Sequence, residues 1–108
     1  MKKADLFIRV NLHSLITLDD IAAECSTSAR NLQIYFRKFR GVTPIAYVRN
    51  LRLDAVAEAI RVTDAPIAAL TKQYGFLSAT TFASEYKRRF GVTPRKARED
   101  ARRRLRVE

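Results

Sequence analysis

Residues 41–44 read Gly-Val-Thr-Pro, and residues 91–94 read Gly-Val-Thr-Pro again. Each copy punctuates the chain in the same way: glycine supplies the positive φ that ends a helix, threonine caps the next, and proline opens it with its φ already helical. The stretches before the two copies also correspond. Leu32 and Phe82 stand 50 residues apart, whereas Leu18 and Ile67 stand 49 apart, so the second copy carries one extra residue in its turn. A solenoid needs more than two copies to bury its faces; two copies in 108 residues point to one pseudo-symmetric, two-lobed domain.

Apolar periodicity is helical throughout, and no stretch alternates with period two over a strand's length, so the fold class is all-α. Leu6, Ile8, Val10 and Leu12 are assigned to one side of a first helix ending near Asn11 to Ser14. Thr17-Leu18-Asp19-Asp20 has the form of a capping box with Asp in place of Glu, which sets a second helix at about 18 to 25 with Ile21 and Ala22 inward. Ser28 caps a third whose inward positions are Leu32, Phe36 and Phe39. A long fourth helix, about 44 to 61, offers Val48, Leu51, Ala55, Val56, Ala59 and Ile60 to both halves. Pro66 opens a fifth helix carrying Ile67 and Leu70, Gly75 stops it, and Ser78 caps a sixth with Phe82, Tyr86 and Phe90 inward. The expected division is a first subdomain at about 4–42, a linker helix at about 44–61, and a second subdomain at about 64–105.

Charge narrows the partner. Lys and Arg number 21 against 11 acidic residues, a net charge of +10, which favours a polyanion: nucleic acid or an anionic membrane surface. Charges interrupt every apolar run well short of the roughly 20 residues a membrane span requires, leaving at most a surface-binding helix. The single cysteine, Cys25, makes no internal disulfide and reads as a small buried hydrophobe. Glycines number three, all at expected helix ends, so no phosphate-cradling glycine loop is present. Neither a metal-ligand cluster nor a His-acid-nucleophile set appears, which argues against an enzyme, and no cofactor or metal is expected. His13 reads as a capping or solvent-facing residue.

The outward faces of the third and sixth helices carry the functional signal. Arg30, Gln33, Ile34 and Arg37 fall at spacings of three, four and seven, opposite Leu32 and Phe36. A guanidinium donates two parallel bonds to guanine, and an amide pairs with adenine or accepts from the amino group of cytosine. Ser28, at the helix start, is placed for a phosphate. On the sixth helix the matching positions are the short Ala79, Thr80, Ala83 and Ser84, suited to thymine methyls and hydroxyl bonds, with Lys87, Arg88, Arg95 and Lys96 behind them for phosphates. Sequence discrimination is thus expected mainly from the first lobe and electrostatic anchoring from the second.

Together these residues carry a resemblance. Ile67-Ala68-Ala69-Leu70, Tyr74-Gly75-Phe76-Leu77-Ser78, Phe82, Tyr86, Phe90-Gly91-Val92-Thr93-Pro94 and Arg98 resemble the signature of the AraC/XylS family of bacterial transcription regulators. The first lobe follows the same pattern through Leu18, Ile21-Ala22, Ser28, Leu32, Phe36, residues 41–44 and Tyr47, so the resemblance runs from about Leu6 to Arg98. It implies seven helices in two homeodomain-like helix-turn-helix subdomains, with recognition helices at about 29–39 and 79–89 entering successive major grooves on one face of double-stranded DNA. It also implies backbone contacts from Ser28, Arg37, Thr43, Ser78, Thr81, Lys87, Arg88, Thr93 and Arg95, a bacterial cytoplasmic location at the nucleoid, and RNA polymerase as a partner.

The sequence departs from the pattern at Ser26, where relatives often have Gly, at Thr71, at Ala97, where an aromatic is common, and at Ile34 and Ser84, where polar or Arg side chains often read bases. DNA-repair methyltransferases with a similar domain need a cysteine cluster that this chain lacks. No effector-binding or dimerisation domain is visible, which fits a short standalone regulator or the C-terminal part of a longer one. Two other readings use the same charge: a sequence-indifferent nucleic-acid-binding protein, and a module whose basic helices dock an acidic protein. Arg102-Arg103-Arg104 with Arg106 form either a solvated tail or further phosphate contacts.

Overall fold

Side-chain caps open five of the helices, and left-handed glycines close two. The computed structural model describes residues 2–107, with side-chain burial for residues 2–105. Among the described residues there are seven helices and no strand: α1 (Lys2–Val10), α2 (Leu18–Glu24), α3 (Ala29–Arg40), α4 (Pro44–Val62), α5 (Ile67–Gln73), α6 (Ala79–Phe90) and α7 (Pro94–Val107). The all-α, double helix-turn-helix architecture expected from the sequence is the one observed.

The cap chemistry is realised atom by atom. The Asp20 amide donates to Thr17 Oγ1 at 3.1 Å and the Thr17 amide donates to Asp20 Oδ2 at 3.0 Å, a reciprocal box at the start of α2. Ser28 Oγ accepts from the Asn31 amide at 3.0 Å, and Ser78 Oγ accepts from the Thr81 amide at 3.2 Å. Thr43 and Thr93 repeat the pattern before the two prolines, accepting from Ala46 at 3.2 Å and from Lys96 at 3.1 Å. Gly41 and Gly91 end α3 and α6 in the left-handed region at φ +74° and +80°, where a side chain would be strained. Pro66 precedes α5 rather than filling its first position, and α4 runs one residue past its expected end.

The molecule divides into two units, one up to Arg52 and one from Leu53 onward, so the break falls within α4. The first unit packs Ala4 and Ile8 of α1, Ile16, Ile21 and Ala22 of the α2 region, Leu32 and Phe36 of α3, and Val48 of α4 into one core. In the second, Leu53, Val56 and Ile60 of α4 meet Leu70, Phe82 and Tyr86. Each fully buried phenyl ring, Phe36 and Phe82, contributes about 1.5 to 3 kcal/mol relative to exposure.

Four expectations about the core are corrected. Phe39 is 60% exposed although it falls close to the line of Leu32, seven residues earlier, because the last turn of α3 at that position is left uncovered; its ring is tilted against Tyr35 with centroids 4.5 Å apart. Leu6 and Val10 are also exposed, at 65% and 72%. Residues at spacing two cannot share a helix face, and α1 buries Ala4 and Ile8 instead, with Phe7 half-buried beside them. Leu53 of α4 is buried although it was not among the expected apolar positions. Cys25 is half-buried rather than enclosed.

Each unit also pins the loop that leads into its first turn helix with a guanidinium. Arg52 Nε donates to the Leu12 carbonyl at 3.0 Å and its Nη2 to the Ser14 carbonyl, fixing the loop between α1 and α2. Arg98, 8% exposed, donates from Nε to Ile60 at 3.3 Å, from Nη2 to Thr63 at 3.2 Å and from Nη1 to Ala65, all three carbonyls lying at the end of α4 or in the loop to α5. Burial displaces the Arg52 guanidinium pKa downward from its ordinary value.

Candidate nucleic-acid interface

In the first unit the turn between α2 and α3 is made by Cys25, Ser26 and Thr27. Cys25 closes α2, Ser26 takes φ +55°, and the Thr27 amide returns to the Ala22 carbonyl at 3.0 Å. The second unit repeats this at Tyr74, Gly75 with φ +80°, and Phe76, whose amide returns to Thr71 at 3.1 Å. Ser26 therefore occupies the left-handed position that Gly75 fills in the other copy. The extra residue of the second turn is then Leu77, which follows Phe76 and is fully exposed. Thr71, another departure from the family pattern, is buried, and its hydroxyl donates to the Ile67 carbonyl at 2.8 Å.

With the turn set and Leu32 and Phe36 drawn into the core, the opposite side of α3 is left to solvent. Arg30, Gln33, Ile34 and Arg37 are all exposed, Ile34 at 55%. On α6, Ala79, Thr80 and Ser84 are exposed, while Ala83 is half-buried and presents less of its methyl group outward than the sequence suggests. Ser28, Ser78, Thr81 and Thr93 are exposed at helix starts, whereas Thr43 is half-buried with its hydroxyl accepting from the Ala46 amide. Lys87, Arg88 and Arg95 are exposed, as is His13.

The cations fall into two groups. Arg40, at the end of α3, holds Asp5 at 2.6 Å and lies over the Tyr47 ring at 5.4 Å. Arg89, near the end of α6, holds Asp54 through two bonds of 2.8 and 3.0 Å, which raises its pKa above the ordinary guanidinium value. Lys96 lies 3.4 Å from Asp100, and Lys38 sits 5.3 Å from the Phe39 ring centroid. Among the described residues, Arg30, Arg37, Lys87, Arg88 and Arg95 form no ion pair within the chain. Arg30, Arg37, Lys87, Arg88 and Arg95 thus leave unpaired charge on the outward sides of α3 and α6 and at the start of α7, while Arg40 and Arg89 in the same two helices are neutralised by aspartates. α3 itself contains no acidic residue.

Sequence reasoning did not find the tethering roles of Arg40, Arg52 and Arg89. Their partners lie about 35 to 40 residues away, and no local pattern announces such a pair. Arg98 was singled out only as part of the family signature; the structure shows what it holds.

The model of a family described as a helix-turn-helix domain matches residues 21–100. The HTH-type transcriptional regulator ArgR of Pseudomonas aeruginosa is 31% identical over 102 residues, which cover 94% of this chain and 31% of ArgR. The XylDLEGF operon transcriptional activator 2 of Pseudomonas putida is 34% identical over 91 residues, covering 82% of this chain and 58% of that protein. The crystal structure of a transcriptional regulator from Chromobacterium violaceum, described among AraC-type DNA-binding domain-containing proteins, has a TM-score of 0.88 at 29% identity and covers 93% of this chain and 89% of that one. The chain spans about a third of the length of ArgR and less than two thirds of that of the operon activator.

Proposed function

The chain belongs to the AraC/XylS family of helix-turn-helix transcription regulators, and from that premise we propose that it binds double-stranded DNA sequence-specifically through α3 and α6, as part of transcription control. The observation that carries this reading is the sorting of cations: those on the outward sides of the two capped helices are unpaired, while Arg40 and Arg89, in the same helices, are held by aspartates. An unpaired surface cation is available to phosphate and base edges without first breaking an internal pair.

Arg30 and Gln33 lie in the first two turns of α3, the part of a recognition helix that reaches base edges. Arg30 donates to guanine and Gln33 pairs with adenine or cytosine. Ile34, Ala79, Thr80, Ala83 and Ser84 complete the base-facing set by apolar contact and short hydroxyl bonds. Ser28, Arg37, Thr43, Ser78, Thr81, Lys87, Arg88, Thr93 and Arg95 take the phosphates; the capping hydroxyls of Ser28, Thr43, Ser78 and Thr93 accept from backbone amides and keep their own O–H to donate. On this reading each helix takes one of two successive major grooves of the duplex. Contact with RNA polymerase, as the family resemblance implies, belongs to the same reading.

Competition binding tests it. At physiological salt the chain should retain a selected duplex about a thousandfold or more over random duplex. Equal affinity for both would leave a charge-driven, sequence-indifferent binder. Among the described residues no helix is long and apolar enough to cross a membrane.

A further inference from the structure

The first unit carries a groove that the second unit fills with its own side chains. The groove measures about 630 Å³ and is lined by Lys2, Lys3, Cys25, Thr27, Asn31, Leu32 and Tyr35. Matching the two turns by backbone conformation sets Cys25 against Tyr74 and Thr27 against Phe76, and the helix register sets Leu32 against Phe82. In the second unit these three positions are aromatic and packed together: Tyr74 and Phe76 lie against the core, and Phe76 meets Phe82 edge-on with centroids 4.9 Å apart. In the first unit the same positions hold a thiol, a hydroxyl and an aliphatic chain. The repeat leaves room there for an aromatic ring that the chain does not supply.

The rim indicates what kind of ring. Lys2 and Lys3 are exposed beside the groove, and among the described residues neither pairs with a carboxylate. Tyr35 provides a ring wall, itself stacked on Phe39 at 4.5 Å. A cavity of this size with apolar walls and a few charged groups at one end suits a small amphipathic molecule. We propose that this groove binds a small aromatic carboxylate, its ring between Leu32 and Tyr35 in the space that Phe76 takes in the other copy, and its carboxylate at Lys2 and Lys3. On α3 the groove uses the flank bearing Asn31, Leu32 and Tyr35, whereas Arg30, Gln33, Ile34 and Arg37 line no part of it, so the site is distinct from the proposed base-reading positions.

The test needs no DNA, so its outcome is independent of the proposed function. Phenylacetate is titrated into the isotopically labelled chain while amide resonances are followed, with neutral phenylacetamide as the uncharged comparison. The expected result is saturable movement of the Cys25, Thr27 and Tyr35 amides, with phenylacetamide about tenfold weaker. The double substitution Lys2→Glu and Lys3→Glu, at exposed positions, should weaken phenylacetate to the level of phenylacetamide or below. Thr27→Phe, which copies the second unit, should abolish binding; if it fails to fold, the lysine variant still decides. Shifts confined to other cationic surfaces, no saturable shift, phenylacetamide binding as tightly as phenylacetate, or the lysine variant binding phenylacetate as tightly as the unsubstituted chain would each overturn the proposal.

Discussion

Arg89 grips Asp54 with a fork of two hydrogen bonds, Nε to Oδ1 at 2.8 Å and Nη2 to Oδ2 at 3.0 Å, tying the end of α6 to α4. Its neighbour Arg88 is exposed and unpaired among the described residues. The two arginines should therefore part company on substitution. Arg89→Ala is expected to lower unfolding stability by about 1 kcal/mol or less, the pair being more than one-third exposed on both sides. Arg88→Ala and Lys87→Ala should leave stability within about 0.5 kcal/mol, and Lys87→Ala should flatten the salt dependence of DNA binding by about one unit. Denaturant melts alongside binding isotherms at several salt concentrations check both halves.

Arg30 is placed to specify rather than merely attract. Arg30→Ala should cost about 1 to 3 kcal/mol on the preferred duplex and relax selectivity at one base pair. Equal losses on preferred and random duplexes, measured by competition, would move Arg30 to the phosphate group.

Ser26 holds φ +55° at the position where the other copy has Gly75 at +80°. A left-handed conformation costs a non-glycine residue roughly 1 to 2 kcal/mol, partly offset by the greater unfolded-state freedom of glycine. Ser26→Gly should therefore raise stability by up to about 1 kcal/mol, read as a higher denaturation midpoint. No gain would mean that the serine side chain compensates the strain.

Arg98 serves three carbonyls from a buried position. A lysine ammonium cannot reproduce a planar fork, so Arg98→Lys should destabilise the fold by about 2 to 4 kcal/mol by leaving buried carbonyls unpaired. Thermal melts decide this. A loss below about 1 kcal/mol would show that water replaces the guanidinium.

Acid should loosen the first turn helix. The Thr17 backbone amide, followed by its hydroxyl, holds the Asp20 carboxyl below its ordinary pKa. The depressed value means that the stabilisation is complete above the unfolded carboxylate range, about pH 4, and is lost as pH falls through the folded value. Melting temperature measured between roughly pH 2 and 5 should show this decline, reduced in Asp20→Ala.

The helix boundaries were legible because they are written in short-range chemistry: Thr17, Ser28, Gly41, Thr43, Ser78, Gly91 and Thr93 act on neighbours within a few residues. The outward positions of Arg30 and Arg37 followed from the period once Leu32 and Phe36 were placed inward. Phe39 falls close to the buried line through Leu32, seven residues earlier, but in the last turn of α3, where only the neighbouring elements decide whether a position on that line is covered. Ala83 was half-covered for the same reason. The latches Arg40–Asp5, Arg52–Leu12 and Arg98–Ile60 join segments distant in the chain, and charge composition alone does not say which arginine turns inward.

Selection of bound duplexes from a random library tests the central claim most directly, because it reads specificity, site length and spacing at once. The account predicts enrichment of duplexes carrying two short defined segments about 10 to 10.5 base pairs apart, centre to centre, with Arg30→Ala relaxing one position in one segment only. A bound pool no different in sequence from the starting library would contradict it.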